Sequence, residues 1–278
     1  MKALILGATG LLGQALMRVW SGDDVLGLGV RDVDIRDAAR VREVIEKSRP
    51  EWIVLAAAYT DVDGCESNQE LAFSVNRDGA VQVARAAKNA GAKLMFLSSD
   101  YVFDGKKASP YEIGDKRNPQ SIYGRSKAEA EIQLLEVIPA CCILRTAWLF
   151  GMGGKCFPDT ILNLAATRPV LDVVSDQRGC PTYSVDLARA IVQLCRNGAN
   201  GIVHVTNAGD CSWFEFACEI VECAGLSTEV RAVSTQQMVR PAPRPAYSVM
   251  SAKSLTDQGI VMPTWQDGLG RYLQERGG

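Results

Sequence analysis

The chain has 278 residues, 47% of them hydrophobic, enough for one large core or a core with a lobe. Its 30 basic and 32 acidic residues leave a net charge of -2, so no overall field favours nucleic acid or an anionic membrane as a partner. The single histidine, His204, excludes histidine-based triads and multi-histidine metal sites, and inside the apolar stretch 201–205 it reads as a structural strand residue.

The longest apolar runs, such as 52–59, fall short of the ~20 residues a membrane span requires. Met1 leads straight into a strand pattern without a signal-peptide layout, so we expect a cytoplasmic protein with no membrane partner. Nine cysteines, none in a Cys-x-x-Cys pair, read mostly as reduced, half-buried small hydrophobes.

In chain order, the apolar run 2–6 ends at Gly7, and Gly10 and Gly13 follow before a helical stretch over 12–20. Such glycines let the backbone bend tightly and let a pyrophosphate approach the amides at a helix N-terminus. Close helix-to-strand packing is the other use of the same turn. A second strand is expected over 25–28, where an NAD-preferring fold carries Asp or Glu; this chain has Gly29 and then Arg31. A guanidinium without a carboxylate suits a 2′-phosphate, so NADPH is the expected cofactor and NADH the alternative. The bland reading of Arg31 is a solvated loop charge.

Asp34 and Ile35 open a helix over 38–48. The strand 52–55 then ends in Ala56, Ala57, Ala58, Tyr59 and Thr60, small residues that leave room for a flat group or serve tight packing. A long helix over 70–90, carrying Asn76, leads to the strand 93–97, which ends at Leu97 and is followed by Ser98, Ser99, Asp100 and Tyr101. Hydroxyls there can hydrogen-bond a substrate carbonyl or cap a turn.

A loop over 104–120 precedes a helix over 123–137 on which Tyr123 and Lys127 share one face. A cation beside a phenol favours phenolate and brings the group toward neutral pH, although the spacing alone also fits a solvated helix face. The strand 140–144 closes at Arg145, Thr146, Ala147 and Trp148. Strict alternation of strand and helix argues for an α/β fold, a Rossmann-like doubly wound parallel sheet. After Gly151 the elements shorten, with a final helix over 266–275. We expect a dinucleotide-binding domain over 1–150 that returns once to the sheet at about 182–206, and a smaller C-terminal substrate lobe built from 151–181 and 207–278.

The turn Gly7-x-x-Gly10-x-x-Gly13, the segment Ser99 to Phe103 and the pair Tyr123-x-x-x-Lys127 together resemble the extended short-chain dehydrogenase/reductase family. Five blocks are similar to its branch that reduces the C4 keto group of dTDP-4-dehydro-L-rhamnose. They are Ala56 to Asp63, Ser98 to Gly105, Arg145-Thr146-x-Trp148, Asp176-Gln177-x-Gly179-x-Pro181-Thr182 and Arg244-Pro245, which occur in order along essentially the whole chain.

The resemblance implies a dTDP-linked 4-keto-6-deoxy sugar as substrate, with Tyr123 protonating the C4 oxygen while NAD(P)H delivers hydride to C4. It implies that Lys127 holds the nicotinamide ribose and tunes the phenol, and that Ser99, in place of a threonine, hydrogen-bonds the same oxygen. Asp100, Tyr101 and Trp148 would touch the deoxysugar nucleotide. Gly10, Leu11 and Leu12 would meet the pyrophosphate, Asp34 and Ile35 the adenine side, and Ala57, Ala58, Tyr59, Thr60 and Leu97 the nicotinamide side.

Some members bind magnesium between subunits through glutamates, one of them just after the glycine turn. Gln14-Ala15 stands there in this chain, so we expect no metal requirement and a monomer or weak homodimer. Two alternatives stay open. One is a sister reductase of other C4 stereochemistry or nucleotide; the other is a non-enzymatic regulatory subunit like that of methionine adenosyltransferase.

Overall fold

The computed structural model describes residues 1–277. Near-continuous apolar runs form the centre of a six-stranded parallel sheet: β1 (Lys2–Leu6), β2 (Asp24–Leu28), β3 (Trp52–Leu55), β4 (Lys93–Ser99), β5 (Cys142–Thr146) and, later in the chain, Gly201–His204. Buried on both faces, such strands need no polar alternation. The helices between them are α1 (Leu11–Val19), α2 (Ala38–Ser48), the short α3 (Val62–Ser67) and α4 (Gln69–Phe73), α5 (Ala80–Ala90) and α6 (Ile122–Val137).

Beyond β5 follow β6 (Leu149–Phe150), α7 (Phe157–Ala165), β7 (Val170–Val174), β8 (Arg178–Gly179), β9 (Thr182–Tyr183) and α8 (Ser184–Asn197). The chain ends with β10 (Gly201–His204), β11 (Cys211–Ser212), α9 (Trp213–Cys223), β12 (Glu229–Val233), α10 (Lys253–Thr256) and α11 (Trp265–Gly277). The order in the large sheet is β10-β5-β4-β3-β1-β2. Strand order reverses between β1 and β3, the place where an open parallel sheet presents a ligand crevice at the carboxyl ends of its strands.

Apolar stripes of the helices cover both sheet faces. On one side Leu12, Ala15 and Leu16 of α1 and the apolar face of α8 bury with Ile5, Val54 and Leu144. On the other, Val41, Val44 and Ile45 of α2, the alanines of α5, and Ala130 and Leu134 of α6 pack on Leu4, Ile53 and Phe96. A third core, with Phe150, Ile161, Phe216, Trp265 and Tyr272, belongs to the lobe formed by α7, α9, α11 and the short strand pairs.

The structure departs from the sequence reading in three places. The helix expected over 70–90 is interrupted by a π-helical turn at Ser74–Gly79, and α3 precedes it where no helix was expected, its first turn capped by the Asp61 carboxylate on Gly64 N. Strand β4 runs on through Ser98 and Ser99 because their backbones keep pairing with Arg145 and Thr146. The chain also revisits the large layer a second time, since Leu255 and Ile260 bury with α8 beneath the sheet. Residues around α10 therefore pack with the dinucleotide layer, not with the lobe assigned to 207–278. No helix among the described residues is long and apolar enough to cross a membrane.

Candidate active site

The glycine turn sits at the topological switch point. Gly7 has φ +95°, in the left-handed region that favours glycine, and its amide donates to Leu28 O at 2.8 Å. A Cβ on Gly7 would lie 2.5 Å from Ala57 N, and one on Gly13 would lie 2.1 Å from Gly7 O. The turn, the first turn of α1 and the end of β3 are thus nested with no space for side chains. Gly10 is the N-cap of α1 and offers no side-chain oxygen to the first-turn amides, so the positive end of the helix opens at the sheet edge beside Leu11 and Leu12. This cradle fits a dinucleotide pyrophosphate.

On the adenine side, Arg31 is exposed. The Asp32 carboxylate accepts from Gly29 N at 2.8 Å, and Asp34 accepts from Arg36 Nε at 3.0 Å and Nη2 at 2.5 Å, a contact that lowers its pKa. The Ile35 side chain faces the core, where Gly79 leaves room for it. Across the switch point, Ala57 N donates to Leu6 O, and Tyr59 is held at both backbone polar groups by the buried Asn76 amide: Tyr59 N donates to Oδ1 at 2.8 Å and Nδ2 donates to Tyr59 O at 3.0 Å. Asn76 Nδ2 also donates to Ser126 Oγ at 3.0 Å, which ties this segment to α6. The π-helical turn places Asn76, and such turns concentrate at functional sites.

Five candidate side chains, Ser99, Asp100, Tyr101, Tyr123 and Lys127, meet where β4 ends against α6. Ser99 Oγ donates to Asp100 Oδ1 at 2.9 Å and accepts from Tyr101 N at 3.2 Å. The Tyr101 ring stands edge-on to the Tyr123 ring, centroids 5.6 Å apart. Lys127 Nζ donates to Leu97 O at 2.8 Å and lies over the Phe96 ring. The close fit depends on Gly124, where a Cβ would lie 2.2 Å from Tyr101 O. Ser121 caps the helix through Gly124 N, and the Glu66 carboxylate accepts from Ile122 N.

The electrostatics correct one expectation. Burial pushes the Tyr123 phenol up, the Ser99 hydroxyl opposes this, and Asp100 adds to it, so the phenol lies above its ordinary value and not nearer neutral pH. Lys127 itself is lowered to about 7 by burial, with Glu131 opposing. His204 is pushed down to about 3 by burial and then by Arg145, so it is a neutral strand residue.

Burial raises Asp100 to about 6, against hydrogen bonding from the Ser248 and Ser99 hydroxyls. The Ser248 hydroxyl lies near without closing a well-directed bond, and Asp100 Oδ2 has no partner. Because the folded state holds this proton more tightly than the unfolded chain, the group adds stability below pH ~4 that is lost as pH rises through about 6. Asp100→Asn is therefore expected to raise the unfolding free energy at pH 8 by about 2 kcal/mol and to flatten its dependence between pH 4 and 6. Urea unfolding at three pH values measures this, and an unchanged slope contradicts it.

Trp148 follows β5 with φ +46°, a strained left-handed conformation for a large side chain. Its ring stacks on Trp213 at 3.5 Å, 5° from parallel, and a Cβ on Gly179 would strike it at 2.4 Å. Phe157 backs Trp213, so the lobe presents an aromatic wall. An extended segment crosses from the lobe toward Tyr101: Arg244 Nη2 pairs with Asp63 Oδ1 at 3.0 Å, its guanidinium lies 5.9 Å from the Tyr101 ring, and Pro245 seats on Gly105.

Sequence reasoning assigned no site role to Asn76, Asp63, Arg244, Trp213 or Glu131. The Ala56 to Asp63 and Arg244-Pro245 blocks flagged two of these positions, whereas nothing local in the sequence marks Trp213. Among the described residues no group of three or more His, Cys, Asp or Glu is arranged to hold a metal ion, and Gln14 donates to Thr9 O and Gly153 O. Two surface hollows of about 370 and 340 Å³ lie at α1, α8 and α11, and neither is lined by Tyr123, so the site is assigned from chemistry, not from cavity size.

A doubly wound parallel sheet with a glycine cradle at its switch point and the Ser, Tyr-x-x-x-Lys constellation at the end of β4 defines an oxidoreductase of the extended short-chain dehydrogenase/reductase class. Residues 1–277 match the family model described as the RmlD substrate binding domain, and the chain belongs to that family. It is 41% identical over 277 residues to the spore coat polysaccharide biosynthesis protein SpsK of Bacillus subtilis, covering 99% of this chain and 98% of that protein. It is 39% identical to a dTDP-4-dehydrorhamnose reductase of Mycobacterium tuberculosis, covering 98% and 92% of the two chains. Among solved structures, the dTDP-4-dehydrorhamnose reductase of Bacillus anthracis in complex with NADP superposes with a TM-score of 0.96 at 38% identity, over 99% of this chain and 100% of that one.

Proposed function

We propose that the protein reduces the C4 keto group of dTDP-4-dehydro-L-rhamnose to give dTDP-L-rhamnose, using NADPH. The observation that carries this reading is the gathering of Ser99, Tyr123 and Lys127 at the end of β4, beside the segment Ala57 to Tyr59 that adjoins the glycine cradle. When bound, NADPH supplies the hydride. The amides of Leu11 and Leu12 would face its pyrophosphate, Arg31 its 2′-phosphate, and Ala57, Ala58, Tyr59, Thr60 and Leu97 its nicotinamide side, with Lys127 on the ribose. Asp100, Tyr101 and Trp148 would hold the sugar nucleotide.

The raised phenol suits an acid. Tyr123 stays protonated at neutral pH and gives its proton to the C4 oxygen as negative charge develops there. Ser99 Oγ, turning its hydroxyl from Asp100 Oδ1, donates a hydrogen bond to the same oxygen, so stabilisation is strongest in the transition state. The Lys127 ammonium then balances the phenolate left behind. Nine free cysteines agree with a cytoplasmic setting. An intact proton donor, hydroxyl and lysine set the regulatory-subunit alternative aside.

A panel of dTDP- and UDP-linked 4-keto sugars, offered with NADPH and no other protein, tests the assignment. Oxidation of NADPH with the dTDP-linked 6-deoxy sugar is expected; turnover only of UDP-linked sugars, or of none, would contradict it. For the cofactor, Arg31→Ala should lower kcat/KM with NADPH by about 10- to 100-fold, the range for losing a charge-assisted phosphate contact, and leave NADH nearly unchanged. An unchanged kcat/KM with NADPH would return Arg31 to a solvated loop charge, and equal losses with both cofactors would contradict a 2′-phosphate contact.

A further inference from the structure

Glu131 lies two helical turns beyond Tyr123 and one beyond Lys127, so the three side chains form a single stripe on α6, and all three are buried. The stripe is matched residue by residue to the end of β4. Leu97 O accepts from Lys127 Nζ at 2.8 Å, Ser98 Oγ donates to Glu131 Oε1 at 2.5 Å, and Ser99 presents its hydroxyl to Asp100 and Tyr101.

The Glu131 carboxylate has no solvent exposure, yet it is fully coordinated. Arg145 Nε donates to Oε1 at 2.9 Å and Nη2 to Oε2 at 2.7 Å, and Arg117 Nε, from the loop before α6, donates to Oε2 at 2.6 Å. Arg145 stands opposite Ser98 in the β4–β5 register and opposite His204 in the β5–β10 register, so one buried polar row crosses three strands behind the candidate site. Against the pull of burial, these donors keep the carboxylate ionised. A buried ion pair is a weak source of fold stability, because desolvation offsets most of its attraction. Its placement one turn past Lys127 suits a positional task.

We propose that Glu131 is a positioning residue for the reduction: its carboxylate locks the Tyr123–Lys127 stripe in register with Leu97, Ser98 and Ser99 and sets a buried negative charge one helical turn from Lys127. The proposal rests on the catalytic reading of Ser99, Tyr123 and Lys127 given above. The charged and titratable groups around Lys127 are Tyr123 and Glu131 on its own helix and Cys65 on α3, with the Leu97 carbonyl on β4. Those around Glu131 are Arg145 on β5 and Arg117 in the loop, with neutral His204 on β10 beyond Arg145. Loss of the carboxylate removes the one nearby anion that opposes burial and leaves two cations, so Lys127 would lose its proton at lower pH.

The test compares Glu131→Gln and Ser98→Ala with the unaltered protein in kcat, KM, NADPH affinity, melting temperature and the pH profile of kcat. For Glu131→Gln the proposal predicts kcat lower by about 10- to 100-fold, the effect of removing a partner that orients a functional group, with NADPH affinity within about threefold. It also predicts an alkaline limb displaced to lower pH by about one unit. Ser98→Ala, which keeps the Glu131 charge and removes only its link to β4, should lower kcat several-fold with KM, NADPH affinity and the limb unmoved. If Glu131→Gln fails to fold, the Ser98→Ala split of kcat against KM decides, and an unchanged kcat overturns the proposal. A folded Glu131→Gln variant with an unmoved alkaline limb overturns it too, whether or not its melting temperature has fallen. A Tyr123→Phe enzyme at near-native rate would instead remove the catalytic reading beneath it.

Discussion

Tyr123→Phe should bind NADPH with near-native affinity and reduce the dTDP-linked keto sugar at least about a hundredfold more slowly, since a positioned general acid contributes roughly 10²- to 10⁴-fold. The substitution removes only the hydroxyl. The ring that packs edge-on against Tyr101 and buries beside Cys65 and Ile122 remains, so the fold and the cofactor surface should be preserved. With no other acid at the C4 oxygen, the residual rate would come from hydride alignment and the Ser99 hydrogen bond alone. The loss should fall on kcat and on kcat/KM alike, the signature of an interaction made only in the transition state. Steady-state kinetics with a separate NADPH titration measures this; a raised KM with intact kcat would make Tyr123 a binding residue.

Gly13→Ala should be as damaging by a different route. Its Cβ would lie 2.1 Å from Gly7 O and 2.5 Å from Ala8 Cα, both backbone atoms that cannot swing aside. Either α1 moves away from β1 or the turn opens, and overpacking of this kind costs about 3 kcal/mol at the upper end of its range. For a domain of this size that is a fall of roughly 6–12 °C in melting temperature, accompanied by weakened NADPH binding because the first-turn amides move with the helix. Gly10→Ala is the control. A Cβ there would meet only Gly7 O at 3.4 Å, so stability should change little while NADPH affinity falls, because the methyl group occupies the open cradle. Equal melting temperatures for the unaltered protein and Gly13→Ala would contradict the packing argument.

The sheet was readable because its strands are short apolar runs that end in glycine, alanine or serine, and β3 and the helix α2 begin and end where the pattern places them. The π-helical turn was not readable. Ser74–Gly79 holds several weak helix formers, but these do not specify a π turn; the packing of Asn76 between Tyr59 and Ser126 appears only in the fold. The spacing of Tyr123 and Lys127 was visible, but the raised phenol follows first from burial, which a spacing does not contain. Trp148 was visible as part of a block, whereas its left-handed backbone and its stack on Trp213 depend on Gly179, thirty-one positions away in the chain. The second return to the large layer rests on Leu255 and Ile260, two apolar residues in a loop-rich stretch with no periodicity to announce them.

In the proposed reaction, hydride reaches C4 of a dTDP-linked 6-deoxyhexose while Tyr123 supplies the proton. Incubating the protein with dTDP-4-dehydro-L-rhamnose and NADPH carrying deuterium at the transferable position, followed by NMR of the isolated sugar nucleotide, tests it most directly. One deuterium is expected at C4 in dTDP-L-rhamnose, and almost none in the same time with Tyr123→Phe. Deuterium at another carbon, a product of opposite C4 configuration, or an unchanged sugar nucleotide would contradict it.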